Sequence, residues 1–211
     1  MSNAVSIVDY GVGNINSVAN MLRRAGADVT LAKTPEQVLA APRAILPGVG
    51  AFDACRSALD VVAGLEASVR EFVKAGRPLL GICVGMQLLA TDSEEGVMPG
   101  LGIIPGHVRR FAFDAAQGQP PLKIPHMGWS SVEATGPNPL FAEGLGELNR
   151  FYFVHSYHFV ASNNSDVAAW GNYGVRFAAS VRRDNVYGAQ FHPEKSHRFG
   201  LQMFRNFILA T

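Results

Sequence analysis

A mostly parallel α/β sheet with helices on both faces, joined to an additional antiparallel β region, is the fold class this chain predicts. Two observations carry that expectation. In the first half, short apolar runs alternate with segments of helical period. From about Leu101 to Ala189 the pattern changes, and short β-rich runs follow one another.

The elements read as follows. Residues 5–8 form a buried strand; Ile15, Val18, Leu22 and Ala25 then recur at helical spacing until Gly26 closes the helix. Residues 29–31 are a second short strand. Thr34-Pro35-Glu36-Gln37 is a helix start, with Thr34 as N-cap, Pro35 in the first helical position and Gln37 completing a capping box. Residues 44–46 are a third strand and run into Pro47-Gly48-Val49-Gly50. Phe52, Cys55, Leu59 and Val62 mark a helical face, and residues 65–75 form another helix that Gly76 stops. Residues 78–82 are the fourth strand and lead into Cys83, with residues 86–90 helical beyond it. The β-rich part holds runs at 106–111, 129–132, 150–154, 157–160, 167–170, 178–181 and 186–190. A closing helix spans about 196–209. Residues 114–121 and 162–166 read as exposed loops rather than linkers, so a single domain over 1–211 is expected.

The bulk composition narrows the function. Hydrophobic residues are 48% and charged residues 17% of 211, enough for a substantial core. The net charge is +1, without the clustered Lys and Arg that nucleic acid or an anionic membrane surface attracts. No stretch of about eighteen apolar residues suggests a membrane span, and the first apolar run is too short for a signal peptide. Two cysteines make no disulfide framework, so a reducing cytoplasm is the expected location.

In such a compartment a cysteine is free to react. Gly81-Ile82-Cys83-Val84-Gly85 lies between a strand and a helical run, the G-x-nucleophile-x-G pattern of a sharp strand-to-helix turn. The flanking glycines leave room for a strained turn that exposes the side chain. Free N–H groups at the helix start favour a thiolate, and the Val84 amide is placed to receive an oxyanion. The plainer reading is a buried cysteine in a tight turn. That reading wins for Cys55, which sits at a core position of its helix.

Of six histidines, His192 has the best claim to be the base. It follows the last apolar strand in Phe191-His192-Pro193-Glu194-Lys195-Ser196. Glu194, two residues on, can accept from the imidazole and fix its tautomer. The bland alternative is a surface histidine at a helix start. His155 and His158 are rivals without a nearby carboxylate, and no set of His, Cys and acidic residues has metal-ligand spacing.

Together Pro47-Gly48-Val49-Gly50, Gly81-Ile82-Cys83-Val84-Gly85-Met86-Gln87 and Phe191-His192-Pro193-Glu194-Lys195-Ser196 resemble the class I (triad) glutamine amidotransferases, over essentially the whole chain. Asp9-Tyr10-Gly11-Val12-Gly13-Asn14, Pro125-His126-Met127-Gly128-Trp129 and Tyr152-Phe153-Val154-His155-Ser156-Tyr157 look like the glutaminase branch that serves imidazole glycerol phosphate synthases. The resemblance implies a flavodoxin-like fold and no cofactor. It also implies that Cys83 attacks the carboxamide of glutamine, with His192 shuttling protons and Glu194 orienting it. The Val49 and Val84 amides would make the oxyanion hole. Gly48, Gly50, Gln87, Glu95, Ser156 and Tyr157 would surround the substrate. The implied partner is a (β/α)₈ synthase that takes up the ammonia in histidine synthesis, with Lys195 paired to one of its carboxylates.

Ammonia released into open water is protonated and diluted, and one domain leaves no room for an acceptor. A partner chain docking at Pro125, His126, Met127, Gly128, Trp129 and Lys195 is therefore expected, against core packing as the plainer role of Met127 and Trp129. Glycine also lets the Pro47–Gly50 loop rotate a peptide cheaply. The Val49 N–H is expected to point away from substrate until the partner and its ligand bind.

Three other readings stand beside this one. A glutaminase of the same fold serving a pyridoxal phosphate synthase would lack the Pro125–Trp129 pattern. A stand-alone hydrolase of γ-glutamyl peptides would work unaided. A nucleotide-binding module would use Gly11 and Gly13 as a phosphate loop, but Asn16 occupies the third glycine position and Lys33 follows the second strand where an acid is needed.

Overall fold

The computed structural model describes residues 2–113, 122–142, 144–145 and 149–210. The loop expected at 114–121 lies outside them.

The first half follows its sequence pattern closely. Strand β1 (Ala4–Val8) leads to helix α1 (Ile15–Ala25), which buries Val18, Ala19 and Leu22. Gly26 ends α1 at φ 100°, a left-handed conformation that glycine adopts without a Cβ penalty. Strand β2 (Asp28–Ala32) follows. Helix α2 (Pro35–Ala40) carries the full capping box between Thr34 and Gln37. Next come β3 (Ala44–Gly48), α3 (Phe52–Val61), α4 (Leu65–Lys74), β4 (Leu79–Cys83) and α5 (Val84–Gln87).

Helix α5 is shorter than the run at 86–90 suggests. The carbonyls of Leu88, Leu89 and Ala90 accept from the amides of Leu101 to Ile104, so tertiary hydrogen bonds replace helical ones there. Few aligned peptides remain there to make a dipole.

The second half begins with β5 (Asp92–Ser93), which the sequence did not signal, and β6 (Gly106–Arg110). Strands β7 (His126–Ser131), β8 (Glu133–Ala134), β9 (Arg150–His155), β10 (Tyr157–Ala161), β11 (Val167–Tyr173), β12 (Val175–Arg183) and β13 (Val186–Ala189) follow, before helix α6 (His197–Ala210). Each predicted strand appears, most extended by one to a few residues, while β6 and β13 end one residue earlier and β4 is shifted by one. Part of the 162–166 loop is a 3₁₀ turn, Asn164–Asp166.

The large sheet runs β2-β1-β3-β4-β13-β12-β10-β6-β5, with β11 and β8 branching from β12. From β2 to β13 every pairing is parallel. That 2-1-3-4-then-last order is the flavodoxin-like one, in which ligands bind beyond the carboxyl ends of the strands. Beyond β13 the pairings with β12, β10 and β6 are antiparallel. Strands β7 and β9 make a separate antiparallel pair. One apolar cluster extends from Val5 to Ile208 beneath these layers. Among the described residues, no helix is long and apolar enough to cross a membrane.

Candidate active site

Three strand ends converge at the carboxyl edge of the parallel sheet. Strand β3 runs into Val49 and Gly50, β4 ends on Cys83, and the chain beyond β13 delivers Gln190 and His192.

Cys83 sits at φ 55° and ψ −113°, a conformation that costs a non-glycine residue on the order of 1–3 kcal/mol and concentrates at functional sites. The surrounding glycines show what permits this turn. A Cβ on Gly85 would stand 1.9 Å from the Leu46 carbonyl oxygen, and one on Gly48 would stand 2.5 Å from the Gly85 nitrogen. The end of β3 and the turn after β4 therefore interlock backbone against backbone. Both glycine motifs are one packing solution.

His192 is 3% exposed and Glu194 is 9% exposed, which excludes the surface reading. A 3₁₀ turn at Pro193–Lys195 folds Glu194 back, so that His192 Nδ1 donates to its Oε1 at 2.9 Å. Ser196 Oγ donates to the His192 carbonyl at 2.6 Å and accepts from the Tyr152 amide at 3.0 Å, tying this turn to β9. Burial pulls the His192 pKa down, but hydrogen bonds to Cys83 and Glu194, and their charges, outweigh it and push the pKa up to about 10. Three of the other histidines behave oppositely. Burial lowers His155 to about 3 and His126 to about 4, and it lowers His158 as well. His155 Nδ1 is held by the Tyr157 carbonyl at 2.8 Å. Among the described residues, only His192 combines a carboxylate partner with contact to the Cys83 thiol.

A cavity of about 360 Å³ opens above Cys83 and His192. Val49, Gly50, Val84, Gln87, Glu95, Ser156 and Tyr157 all line it, as do Pro125 and Lys195 at its edge. Gly48 lies beneath, against Val84 and Gly85. Gln87 Nε2 donates to the Tyr157 carbonyl and to Gln190 Oε1, both at 3.1 Å.

Met127 is 62% and Trp129 37% exposed, so neither is core packing. Trp129 stacks on His197 at 5.4 Å, and the Lys195 ammonium lies 5.9 Å over the Tyr152 ring. His126 departs from the expected surface. It is 1% exposed, stacked on Tyr173 and Phe153, because strand alternation turns it inward between Pro125 and Met127.

Several supporting residues were not anticipated. Gln190, fully buried, places Nε2 3.9 Å from the Cys83 sulfur, and Asn14 Nδ2 donates to Glu194 Oε1 at 3.3 Å. Gln190 lies two residues before His192, and Asn14 ends the glycine-rich turn after β1, but neither spacing signals its contact. Behind the Pro47–Gly50 loop, Tyr10 donates to the Pro47 carbonyl at 2.5 Å and Cys55 Sγ to the Val49 carbonyl at 3.2 Å. Burial pushes the Cys55 thiol up to about 11, which keeps it a donor. Its plain core reading holds, with this bond added.

The chain resembles known proteins over nearly its whole length. A curated relative from Chromobacterium violaceum, imidazole glycerol phosphate synthase subunit HisH, is 47% identical, covering 97% of this chain and 96% of the relative. Imidazole glycerol phosphate synthase subunit HisH 2 of Pseudomonas aeruginosa is 44% identical over 97% and 98%. Among solved structures, PurLQS from Thermotoga maritima superposes with a TM-score of 0.69 at 18% identity, covering 100% and 99%, a likeness of fold. The pattern of the family described as glutamine amidotransferase class-I matches residues 6–211. It begins inside β1 and runs to the last residue, and the chain belongs to that family.

Proposed function

We propose that the chain is the glutaminase subunit of an imidazole glycerol phosphate synthase. It hydrolyses L-glutamine and passes the ammonia to a (β/α)₈ partner in histidine biosynthesis. The observation that carries this is the buried Cys83–His192–Glu194 line beneath the cavity, with His192 pushed up to about 10 by its two neighbours. The names of the relatives supply the acceptor reaction.

The chemistry follows from the groups in place. His192, which contacts the Cys83 thiol, takes its proton, and Cys83 is the nucleophile. Its sulfur attacks the carboxamide carbon of glutamine, and the amides of Val49 and Val84 receive the oxyanion. His192 gives its proton to the departing nitrogen, and ammonia leaves a γ-glutamyl thioester. Neutral His192 then takes a proton from water, whose oxygen attacks the thioester carbon, and glutamate departs as the thiol is released. Glu194 holds the imidazole tautomer and stabilises its cation throughout. Gly50, Gln87, Glu95, Ser156 and Tyr157 hold the substrate from the cavity wall.

The partner docks over Pro125, Met127, Gly128, Trp129 and Lys195, where Met127 and Trp129 offer apolar surface beside the cavity mouth. His126 supports that strand from within. The two cysteines are unbridged, which suits the cytoplasm. In the free chain the Val49 N–H awaits the partner, so the isolated subunit turns over glutamine poorly.

A glutaminase assay of wild type and Cys83→Ala, with and without the ligand-loaded synthase, tests this. Wild type should be stimulated by the loaded partner, and the variant should lose at least about 10³-fold of its rate. Turnover that survives the substitution removes the mechanism. Equal wild-type turnover with and without the partner removes the loop gate.

A further inference from the structure

Helix α3 begins directly after the Pro47–Gly50 loop, and its N-cap, Ala51, supplies no side-chain cap. The missing acceptor comes from elsewhere. Glu95 Oε2 accepts from the Phe52 amide at 2.9 Å, although Glu95 lies in the segment after β5. That segment is bound in return. Asp53, in the first turn of α3, accepts from the Val97 amide with Oδ2 at 2.9 Å and from the Met98 amide with Oδ1 at 3.1 Å. Arg56, one turn on, donates through Nε to the Pro99 carbonyl at 3.0 Å. The two carboxylates thus cross. Each caps the backbone of the other's segment.

The fit is tight. A Cβ on Gly96 would lie 1.9 Å from Asp53 Oδ1, so a side chain there would push the Asp53 carboxylate off the amides it holds. The Ser93 hydroxyl accepts from the Glu95 amide at 3.1 Å and fixes the approach from the other side. The result is a carboxylate at the cavity wall with one oxygen engaged by the Phe52 amide.

We infer that Asp53 is a positioning residue for substrate selection: by clasping the Val97 and Met98 amides it holds Glu95 where it recognises the α-ammonium group of the amide substrate. The inference rests on the glutaminase reading above and on Glu95 lining that cavity. Asp53 touches no reacting atom, so its removal acts on substrate binding and not on the chemical step. The oxyanion loop and the ammonium-binding carboxylate then share the first turn of α3 as their common base.

The test uses the chain assembled with its synthase and compares L-glutamine with glutaramate, the analogue that lacks the α-amino group. Asp53→Ala should raise KM for glutamine roughly tenfold while kcat changes less than about twofold, the signature of lost uniform binding. Its kinetics on glutaramate should stay as in wild type. Glu95→Gln should erase the preference for glutamine, and the double variant should be no worse than Glu95→Gln, because the two act as one unit. If Asp53→Ala leaves the glutamine KM unchanged, or weakens both substrates equally, the positioning role is overturned while the Glu95 reading stands. If Glu95→Gln keeps the wild-type preference, the Glu95 reading fails and the inference fails with it.

Discussion

The two sides of the cavity are built by different means. On the β3–β4 side, glycine interlocking sets the geometry: Gly48 against Gly85, Gly85 against Leu46, and Cys83 held at a positive φ between them. On the β7–β9 side, rings do the work. His126 stacks on Tyr173 with centroids 4.1 Å apart and on Phe153 at 4.9 Å, and Phe151 stacks on Phe191 at 3.9 Å. Backbone interlocking fixes the turn that carries Cys83, the proposed nucleophile, and reactions of this kind tolerate little misplacement. The rings on the β7–β9 side are held instead by side-chain packing, with Phe151, Phe153 and Phe191 fully buried. One side is set by backbone against backbone, the other by ring against ring.

Four substitutions would break or sharpen this contrast. The largest effect belongs to Glu194→Ala, which leaves His192 without its acceptor. Glutaminase turnover should fall about 10³-fold with little change in KM. A small loss would mean that Asn14 or the turn alone orients the imidazole. Next is Gly85→Ala. Its Cβ cannot fit 1.9 Å from the Leu46 oxygen, so chemical denaturation should show a loss of at least about 3 kcal/mol. A folded, stable variant would show that the interlock can relax. Third, Trp129→Ala should weaken the docked complex by about 2 kcal/mol, read by calorimetry, while thermal stability of the free chain moves little. Equal losses in both would return Trp129 to a structural role.

The smallest effect is a pH dependence. Burial holds His126 at about 4 and His155 at about 3, below the ordinary value of 6.5. The unfolded chain therefore binds protons first as pH falls, so stability rises with pH over this window. It is complete above about 6.5 and is lost progressively as pH drops through about 4 and then about 3. His126→Asn should flatten the upper part of that acid slope in urea titrations. An unchanged slope would place the acid sensitivity elsewhere.

The legible parts of the site are those whose determinants are neighbours in sequence. The capping box of Thr34 and Gln37 needs three residues. The elbow announces itself through glycines two positions either side of Cys83, and His192 carries its own acid at Glu194. Gln190, Asn14 and Asp53 left no comparable signal, because each acts on a residue or amide from a distant segment. His126 was misplaced for a related reason: a surface-reading motif of five residues on a strand must send alternate side chains inward. Helix α5 was overestimated because propensity does not reveal that Leu101 to Ile104 claim the carbonyls that would have extended it.

The sequence by itself determined the alternation of strands and helices, the strained cysteine turn, and the histidine with its carboxylate, since each is a short-range pattern of sterics and hydrogen bonding. Only the tertiary structure decided that β3, β4 and β13 lie side by side, so that Cys83, Val49 and His192 share one cavity. It also decided that Met127 and Trp129 face outward while His126 faces in. Those outcomes depend on which strand pairs with which and which face is buried, a competition settled over the whole core.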